Sequence, residues 1–258
     1  MIASRCVTGR IARLSLAAVQ MAASAGPSEP GALAQWLYRF GTLPRTSAHE
    51  RDFGPDDEPL AVLGLSRGGV VRQRLELVYE ASSIPGWYAF ARTGQPMQLT
   101  AACKLYVSPR PEALPDAFAP IVDAFIKAEV RSFKVGRGIE GLLRPDKLIA
   151  YFDDADRMAD VVQLLKRQLR GCPVQGVPFT CEVGADGLLS TGVDPPLGSA
   201  TASWRSWVTA RIASALIARR QRASADIATA VLDDLCMEGI DTARWQPDPD
   251  VFAQAVPA

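Results

Sequence analysis

Three short segments carry lysine and tyrosine at alternate positions, a pattern that suits an anion-binding surface. Residues 103–108 (CKLYVS), 132–135 (SFKV) and 147–152 (KLIAYF) alternate apolar and polar side chains. Because successive side chains of a strand point to opposite faces, the apolar set is expected to face inward and the polar set to share the other face of one sheet. That face would carry Lys104, Tyr106, Lys134, Lys147 and Tyr151, with Arg144 just before the third strand.

Such a face could bind phosphate. Several cations on one surface repel each other unless an anion or carboxylates compensate their charge. Phosphate compensates well, because Arg binds it in a planar fork and Lys binds it as a point charge. Neighbouring ammonium groups also lower the pKa of a lysine, which makes a neutral amine available as a base. The pattern predicts an anion site, with a phosphorylated peptide as the favoured ligand. The alternative is a set of ordinary solvent-facing lysines, with Lys104 protecting a sheet edge.

The elements that would position these residues follow the order strand, helix, strand, strand, helix, strand. That order predicts an α+β fold with a split βαβ, ferredoxin-like two-layer core. The two helices are expected at 111–128 and, after the capping residues Asp153 and Asp154, up to Arg170. A Gly-rich loop at 136–141 and a final hairpin, 177–183 with 188–193, complete the core. Further strands are predicted at 70–80 and 87–90.

The chain divides by composition into three parts. Residues 1–66 form an N-terminal extension, residues 67–200 the α/β core, and residues 201–258 a C-terminal helical segment packed on the core. In the last part, Arg205 near the sheet edge could extend the anion site. Asp194, at the end of the last strand, could be a helix cap or a substrate contact.

Charge and cysteine content exclude several partners. The 258 residues contain 28 Lys plus Arg and 28 Asp plus Glu, and a general nucleic-acid binder would show a basic excess. No apolar run reaches the roughly 18 residues that a membrane span needs. The five cysteines are odd in number and lack CxxC spacing, so neither a zinc site nor a disulfide framework is favoured. Reduced thiols in a cytoplasmic protein are the simpler interpretation.

The N-terminus leaves three interpretations open. Arg5, Arg10 and Arg13 flank an apolar stretch at 14–23, and Ala23-Ser24-Ala25 resembles a signal-peptidase site. The stretch could instead be an ordinary helix, or the true start could be Met21. The free-thiol interpretation argues against export.

Four segments carry a family resemblance. KLYVS, FKVG, LRPDKLIAYF and GVPFT, in this order and spacing, resemble the lyase domains of class III and IV lanthipeptide synthetases and stand-alone Hop-type lyase-like proteins of other modified-peptide pathways. The bacterial phosphothreonine lyase effectors are similar more distantly. The resemblance covers roughly residues 100 to 196.

The resemblance implies β-elimination of phosphate from phosphoserine or phosphothreonine, which needs no metal and no redox cofactor. It assigns Lys134 as the base that removes the Cα proton and Lys104 as a phosphate ligand. Tyr106 stands where the family has a proton-donating His, and the only His of the chain is His49, far from these segments. The same resemblance implies that Arg144 and Lys147 clamp phosphate and that Tyr151 orients the substrate.

Three functions therefore remain open. The first is a lyase acting on a phosphorylated precursor peptide, together with a separate kinase-like enzyme, since the chain has no kinase motifs. The second is a non-catalytic module of the same fold that binds a precursor peptide or a partner enzyme, which the missing His favours. The third is an effector that acts on host phosphoproteins. The sequence has no HExxH, GxSxG or Walker motif that would indicate other chemistry.

Overall fold

The computed structural model describes residues 9–53, 61–97, 103–195, 203–221 and 226–248. Its helices are α1 (Arg10–Ala25), α2 (Pro30–Arg39), α3 (Ser47–Phe53), α4 (Val70–Glu76), α5 (Leu114–Lys127), α6 (Gly138–Leu143), α7 (Ala155–Gln168), α8 (Trp204–Arg220) and α9 (Ile227–Met237). Its strands are β1 (Tyr79–Ile84), β2 (Trp87–Arg92), β3 (Cys103–Val107), β4 (Ser132–Gly136), β5 (Leu148–Phe152), β6 (Cys181–Glu182), β7 (Leu189–Gly192), β8 (Ile240–Asp241) and β9 (Gln246–Pro247).

Seven of these strands form one antiparallel sheet in the order β1-β2-β4-β5-β3-β7-β6. Strand β5 lies between β3 and β4, and β7 pairs with the other edge of β3. This is the ferredoxin-like arrangement, so the predicted α+β two-layer fold is confirmed. Strands β1 and β2 extend the sheet beyond β4.

Helices α5 and α7 cover one face of the sheet because each has a continuous apolar side. Phe118 and Phe125 of α5 and Leu165 of α7 share a core with Phe133 of β4 and Ala150 of β5. Each large side chain buried in this way stabilises the fold by about 1.5–3 kcal/mol. This face is therefore filled, and only the opposite face of the sheet is left to carry a site.

The predicted strand at 70–80 is wrong in its first part. Residues 70–76 form α4, and the strand begins only at Tyr79. Val71 and Leu75 are buried while Leu77 is exposed, which is the spacing of one helix face and not of a strand. Apolar residues four apart satisfy a two-residue and a 3.6-residue period equally well, so the pattern could not separate the two structures.

Two other local predictions also change. Of the predicted strand at 177–183, only Cys181–Glu182 pairs as a strand, because Phe179 adopts a positive φ of 63° that interrupts an extended chain. The predicted Gly-rich loop at 136–141 contains the start of a short helix, α6.

The first and last parts of the chain pack together. Helices α1, α2, α8 and α9 share a second core that includes Val19, Leu37, Trp204 and Ile212. The apolar stretch near the N-terminus is thus a packed helix, which agrees with the ordinary-helix interpretation. The three-part division stays a prediction. Within the described ranges, no helix is both long and apolar enough to cross a membrane.

Candidate anion site

The sheet face opposite α5 and α7 carries a cluster of mostly aromatic side chains, which we call the aromatic floor. It consists of Trp87, Tyr106, Ile149, Tyr151 and Val177. The strand register pairs Lys134 with Ile149, and Ile149 in turn with Tyr106. Strand pairing therefore places Lys134 beside the aromatic floor, on the face that strand alternation predicts.

Lys134 lies over two rings of the aromatic floor. Its ammonium is 4.2 Å from the ring centroid of Trp87 and 5.8 Å from that of Tyr151. A cation over an aromatic face gains about 0.5–2 kcal/mol, more when it is shielded from water. The two rings hold the amine in place without neutralising its charge.

The surroundings of Lys134 make it a weaker base than a free lysine. Burial lowers the pKa of Lys134 to about 8, and the positive charges of Arg144 and Lys104 act in the same direction, while Asp146 opposes the shift. Near pH 8 about half of the Lys134 side chains are therefore neutral and able to accept a proton.

Lys104 is buried on the same face, with 3% of its surface exposed. Its ammonium forms a hydrogen-bonded ion pair with the Asp194 carboxylate and lies 5.7 Å from the Tyr151 ring centroid. The cap of α8 is Ser203, so Asp194 does not cap α8. It serves as the counter-ion of Lys104.

Asp146 joins three elements at the edge of this face. Its carboxylate accepts two hydrogen bonds from Arg144, at 2.9 and 3.0 Å, one from Arg205 at 2.7 Å and one from the Tyr38 hydroxyl at 3.0 Å. Burial alone would raise the pKa of Asp146. The charges of Arg205 and Arg144 and the hydrogen bonds from Arg144 and Tyr38 outweigh burial and hold the pKa well below its usual range.

The two arginines bound to Asp146 differ in exposure. Arg205 is 1% exposed, and it also donates to the carbonyls of Pro178 and Tyr38, at 3.1 and 2.7 Å. These bonds fix Arg205 behind Asp146, where it orients the carboxylate and is shielded from a ligand.

Arg144 is the member of the pair that faces solvent, with 29% of its side chain exposed. Its guanidinium stacks 4.7 Å from the Trp87 ring centroid. Among the described residues, no hydrogen bond uses its Nη1 group, so two N–H donors remain for a bound anion.

Tyr106 is placed on the predicted face but is poorly suited to giving up its proton. It is 2% exposed, and burial raises the pKa of its hydroxyl, with only partial opposition from the charge of Arg205. His49 cannot replace it, because His49 lies in α3, where its Nε2 is 3.5 Å from a carboxylate oxygen of Glu112.

Lys147 lies apart from the other predicted site residues. It stands one residue before the first register pair of β5, and its carbonyl accepts a hydrogen bond from the Gly136 N–H at 2.7 Å. Its buried ammonium donates to the Pro109 carbonyl at 2.8 Å and to the Gln175 side chain at 2.6 Å. Burial lowers the pKa of Lys147 to about 7. These partners give it an internal, structural position.

Among the residues that the structure describes, the charges around the aromatic floor do not balance. The cations are Lys104, Lys134, Arg144 and Arg205, and the carboxylates bonded to them are Asp146 and Asp194. Two positive charges are left over when Lys134 is protonated. A phosphorylated serine or threonine carries about −1.5 to −2 at neutral pH and would match this surplus.

Sequence reasoning missed three contributors to the site. Asp146 was passed over inside the RPDK segment, although a carboxylate between basic residues is a recognisable counter-charge signal. Trp87 was assigned only to a strand, and Tyr38 lies in the N-terminal extension, where no site residue was predicted. No local signal indicates Tyr38, because its contacts with Arg144 and Arg205 join residues more than 100 positions apart.

Two glycines allow β4 to approach α6, the helix that ends just before Arg144. The backbones of Gly136 and Gly141 touch where β4 meets α6, and a Cβ on Gly136 would lie 2.3 Å from the Gly141 carbonyl oxygen. We expect Gly136→Ala to lower the free energy of unfolding by about 1–3 kcal/mol, because the crowded backbone must shift. Urea unfolding checks this, and an unchanged midpoint would contradict it.

No group of three His, Cys, Asp or Glu side chains within the described parts of the chain is arranged to hold a metal ion.

Comparison with known proteins gives the fold. No protein-family model matches the chain, and no curated protein matches it. An effector protein from Pseudomonas syringae pv. syringae strain 61 is 14% identical, with 93% of this chain and 98% of that chain covered and a TM-score of 0.54. An effector protein from Pseudomonas syringae pv. tomato strain DC3000 is 12% identical, with 91% and 97% covered and a TM-score of 0.52.

A shorter match is the Chromobacterium violaceum VirA (SpvC) phosphothreonine lyase effector protein, 15% identical over 44% of this chain and 64% of that chain. Its TM-score of 0.33 is too low to support an argument. The likeness to lanthipeptide synthetases stays a prediction. Over most of its length, the chain has the fold of the two Pseudomonas syringae effector proteins.

Proposed function

We propose that the protein is a metal-free carbon–oxygen lyase that eliminates phosphate from phosphoserine or phosphothreonine in a peptide. The observation that carries this proposal is Lys134, a lysine with a pKa lowered to about 8, held over Trp87 next to a surplus of positive charge. The reaction needs a base for the Cα proton, cations for the departing phosphate and a proton for its oxygen, and these residues supply the first two.

The reaction can be written with these side chains and a proton from the solvent. The neutral amine of Lys134 takes the Cα proton of the phosphorylated residue. The C–H electron pair forms the Cα–Cβ double bond, and the Cβ–O bond breaks with its electrons leaving on phosphate, whose oxygen takes up a proton from the solvent as hydrogen phosphate departs. Arg144 binds the departing phosphate through its Nη1 group, Lys104 adds a second positive charge, and Tyr151 orients the substrate. Arg205 supports the site by holding the Asp146 carboxylate, whereas Lys147 has a structural role away from it.

Tyr106 has a smaller part in this proposal. A full general acid contributes about a hundred- to ten-thousandfold to a rate, but a hydroxyl whose pKa is raised by burial transfers its proton reluctantly. We expect Tyr106→Phe to slow elimination only about two- to tenfold, the effect of losing one hydrogen bond. Single-turnover rates on one phosphopeptide measure this. A loss of a thousandfold would make Tyr106 the proton donor.

The favoured substrate is a ribosomally made precursor peptide that a separate kinase-like enzyme phosphorylates, and the product is a peptide with a dehydroamino acid. Because two proteins with this fold are described as effectors, a phosphoprotein is the other substrate to test. A small precursor gene and a kinase-like gene beside the coding sequence would favour the peptide.

The direct test is incubation with phosphoserine and phosphothreonine peptides, including the neighbouring precursor, followed by mass spectrometry for loss of phosphoric acid. An unmodified serine peptide is the control. If no phosphopeptide loses phosphoric acid, the lyase proposal fails.

A second candidate is a non-catalytic module that binds a phosphorylated precursor or a partner enzyme. The specific observation in its favour is Tyr106, with a raised pKa, at the position where the resemblance implies a His. This candidate predicts phosphopeptide binding that Arg144→Gln weakens, without any elimination.

A further inference from the structure

The C-terminal end of α2 reaches the candidate anion site from the N-terminal part of the chain. Helix α2 packs against α8 in the second core, where Leu37 is completely buried. The next residue, Tyr38, lies against both arginines of the site. Its ring centroid is 4.4 Å from the guanidinium carbon of Arg205 and 5.9 Å from that of Arg144.

The backbone of Tyr38 is held by the buried arginine. The last carbonyls of a helix have no partner within the helix and carry a partial negative charge. The Tyr38 carbonyl accepts a hydrogen bond from Arg205 at 2.7 Å, so a guanidinium of α8 satisfies the end of α2. Arg205 also donates to Asp146 at 2.7 Å. These bonds fix the position of Tyr38 relative to the Asp146 carboxylate.

The hydroxyl of Tyr38 closes a ring of hydrogen bonds with Asp146 and Arg144. It donates to Asp146 at 3.0 Å and accepts from Nη2 of Arg144 at 3.5 Å. Arg144 in turn donates to both oxygens of the Asp146 carboxylate. Each of the three groups bonds with the other two, so rotation of any one of them would break two contacts.

This ring of hydrogen bonds sets the direction of the phosphate-binding group of Arg144. A guanidinium is planar and presents its donors in a fixed fork. Once its Nε and Nη2 groups are committed, the direction of Nη1 is determined, and the Trp87 ring, 4.7 Å from the guanidinium carbon, limits the tilt of the plane. Holding a side chain in its binding conformation in advance lowers the entropy cost of binding.

We infer that Tyr38 is a positioning residue of the anion site: it holds Arg144 in the direction in which the guanidinium binds phosphate, and it does not itself contact the phosphate. The N-terminal extension would in this way complete a site whose other members lie on the sheet and on α8.

The protonation of Tyr38 agrees with this role. Burial raises the pKa of its hydroxyl, and the charge of Asp146 acts in the same direction, while Arg205 and Arg144 oppose the shift. The proton therefore stays on the hydroxyl, where it forms the hydrogen bond to Asp146. A hydroxyl held in this state orients its neighbours and is a poor proton donor for a departing phosphate.

This inference rests on the proposed function only in taking a phosphorylated peptide as the ligand, and its test measures binding separately from elimination. Four proteins are compared: wild type, Tyr38→Phe, Arg144→Gln and the double variant Tyr38→Phe/Arg144→Gln. Phenylalanine keeps the ring against Arg205 and removes only the hydroxyl. Fluorescence anisotropy gives the affinity of each protein for a phosphoserine peptide and for the same peptide with an unmodified serine.

Tyr79→Phe provides the matched control. The Tyr79 hydroxyl donates to the carbonyls of Val130 and Phe125, at 2.7 and 3.3 Å, in the core that α5 and α7 share with the sheet. The substitution is chemically the same and removes a buried hydrogen bond away from the anion site. We expect Tyr79→Phe to lower the urea midpoint and to leave phosphopeptide binding unchanged.

We expect Tyr38→Phe to weaken phosphopeptide binding about three- to tenfold, because a hydrogen bond to a charged group is lost. Binding of the unmodified peptide should not change. The double variant should bind the phosphopeptide no more weakly than Arg144→Gln alone, because the hydroxyl acts only through the guanidinium.

Steady-state elimination gives a second measurement. Phosphate carries nearly the same charge in the bound substrate as in the product, so Arg144 binds both. We therefore expect Tyr38→Phe to raise KM about three- to tenfold and to change kcat by less than about twofold. Lys134→Arg should show the opposite division, with a large loss in kcat.

Three results would overturn the inference: wild-type affinity in Tyr38→Phe, an equal further loss when Tyr38→Phe is added to Arg144→Gln, or the same loss in Tyr79→Phe. The second result would mean that the hydroxyl itself contacts the ligand. A loss that depends on Arg144, with no elimination by any protein, supports the inference and refutes the lyase. Elimination without such a loss does the reverse. Circular dichroism checks that each variant is folded.

Discussion

Replacing Lys134 with arginine is expected to slow phosphate elimination about a hundred- to ten-thousandfold while phosphopeptide binding stays within about threefold of wild type. Arginine keeps a positive charge over the Trp87 ring, but it cannot release its proton at any ordinary pH. The substitution therefore removes the base and retains the cation. Single-turnover elimination and fluorescence anisotropy, measured on the same peptide, separate the two effects.

The pH dependence of wild type checks the same assignment. The base is active only when neutral, and burial lowers the pKa of Lys134 to about 8. The elimination rate is therefore expected to rise with pH up to about 8 and to level off above it. A normal lysine would still be gaining activity near pH 10.

A lysine outside the site provides the control. Lys127 lies at the end of α5 and is exposed, so Lys127→Arg should leave both rate and binding unchanged. If Lys134→Arg retains wild-type elimination, another group is the base and the assignment fails.

Replacing Asp146 with asparagine is expected to lower the free energy of unfolding by about 3–5 kcal/mol. The Asp146 side chain is 2% exposed and that of Arg205 is 1% exposed. Asparagine fits the same space but leaves the guanidinium of Arg205 buried without its counter-charge. Urea unfolding measures the loss. Arg144 also loses its two bonds to the carboxylate, so phosphopeptide binding should weaken as well.

Lowering the pH should destabilise the folded wild-type protein, as the Asp146→Asn substitution does. The pKa of Asp146 is held below its usual range in the folded protein, so the folded state binds this proton less readily than the unfolded chain does. The stabilisation is fully present above about pH 4 and is lost progressively as the pH falls below that value. Asp146→Asn should show a weaker decline over this acid range than wild type.

Two comparisons make the Asp146 result specific. Asp160 lies on α7 and is exposed, so Asp160→Asn should change stability by less than about 0.5 kcal/mol. The double variant Arg205→Met/Asp146→Asn should lose less free energy of unfolding than the sum of the losses in the two single variants. The reason is that the second substitution removes an ion that the first left unpaired. Additive losses would show that the two side chains are not coupled.

Strand alternation was enough to predict which side chains could share the face of the sheet. Strand alternation is a local property of the backbone, so the spacing of Lys104, Tyr106, Lys134 and Tyr151 was enough to group them. The apolar periods of α5 and α7 in the same way determined the two-layer α+β core. Alternation failed where a strand and a helix fit the same spacing, as in residues 70–76. It also could not show that Pro109 and Gln175 bind the Lys147 ammonium inside the protein.

The arrangement of the charges on that face depends on contacts between distant parts of the chain. Arg205 meets Asp146 across 59 positions of the chain, and Tyr38 reaches the same carboxylate from the N-terminal part. Such contacts depend on how α2 and α8 pack against the sheet, which no local pattern encodes. The same packing buries Tyr106, raises its pKa and leaves Arg144 exposed. The electrostatic field at the site depends on all the charges that are close to it in space. Residue types therefore indicated an anion site, but the fold determined which cation faces the ligand.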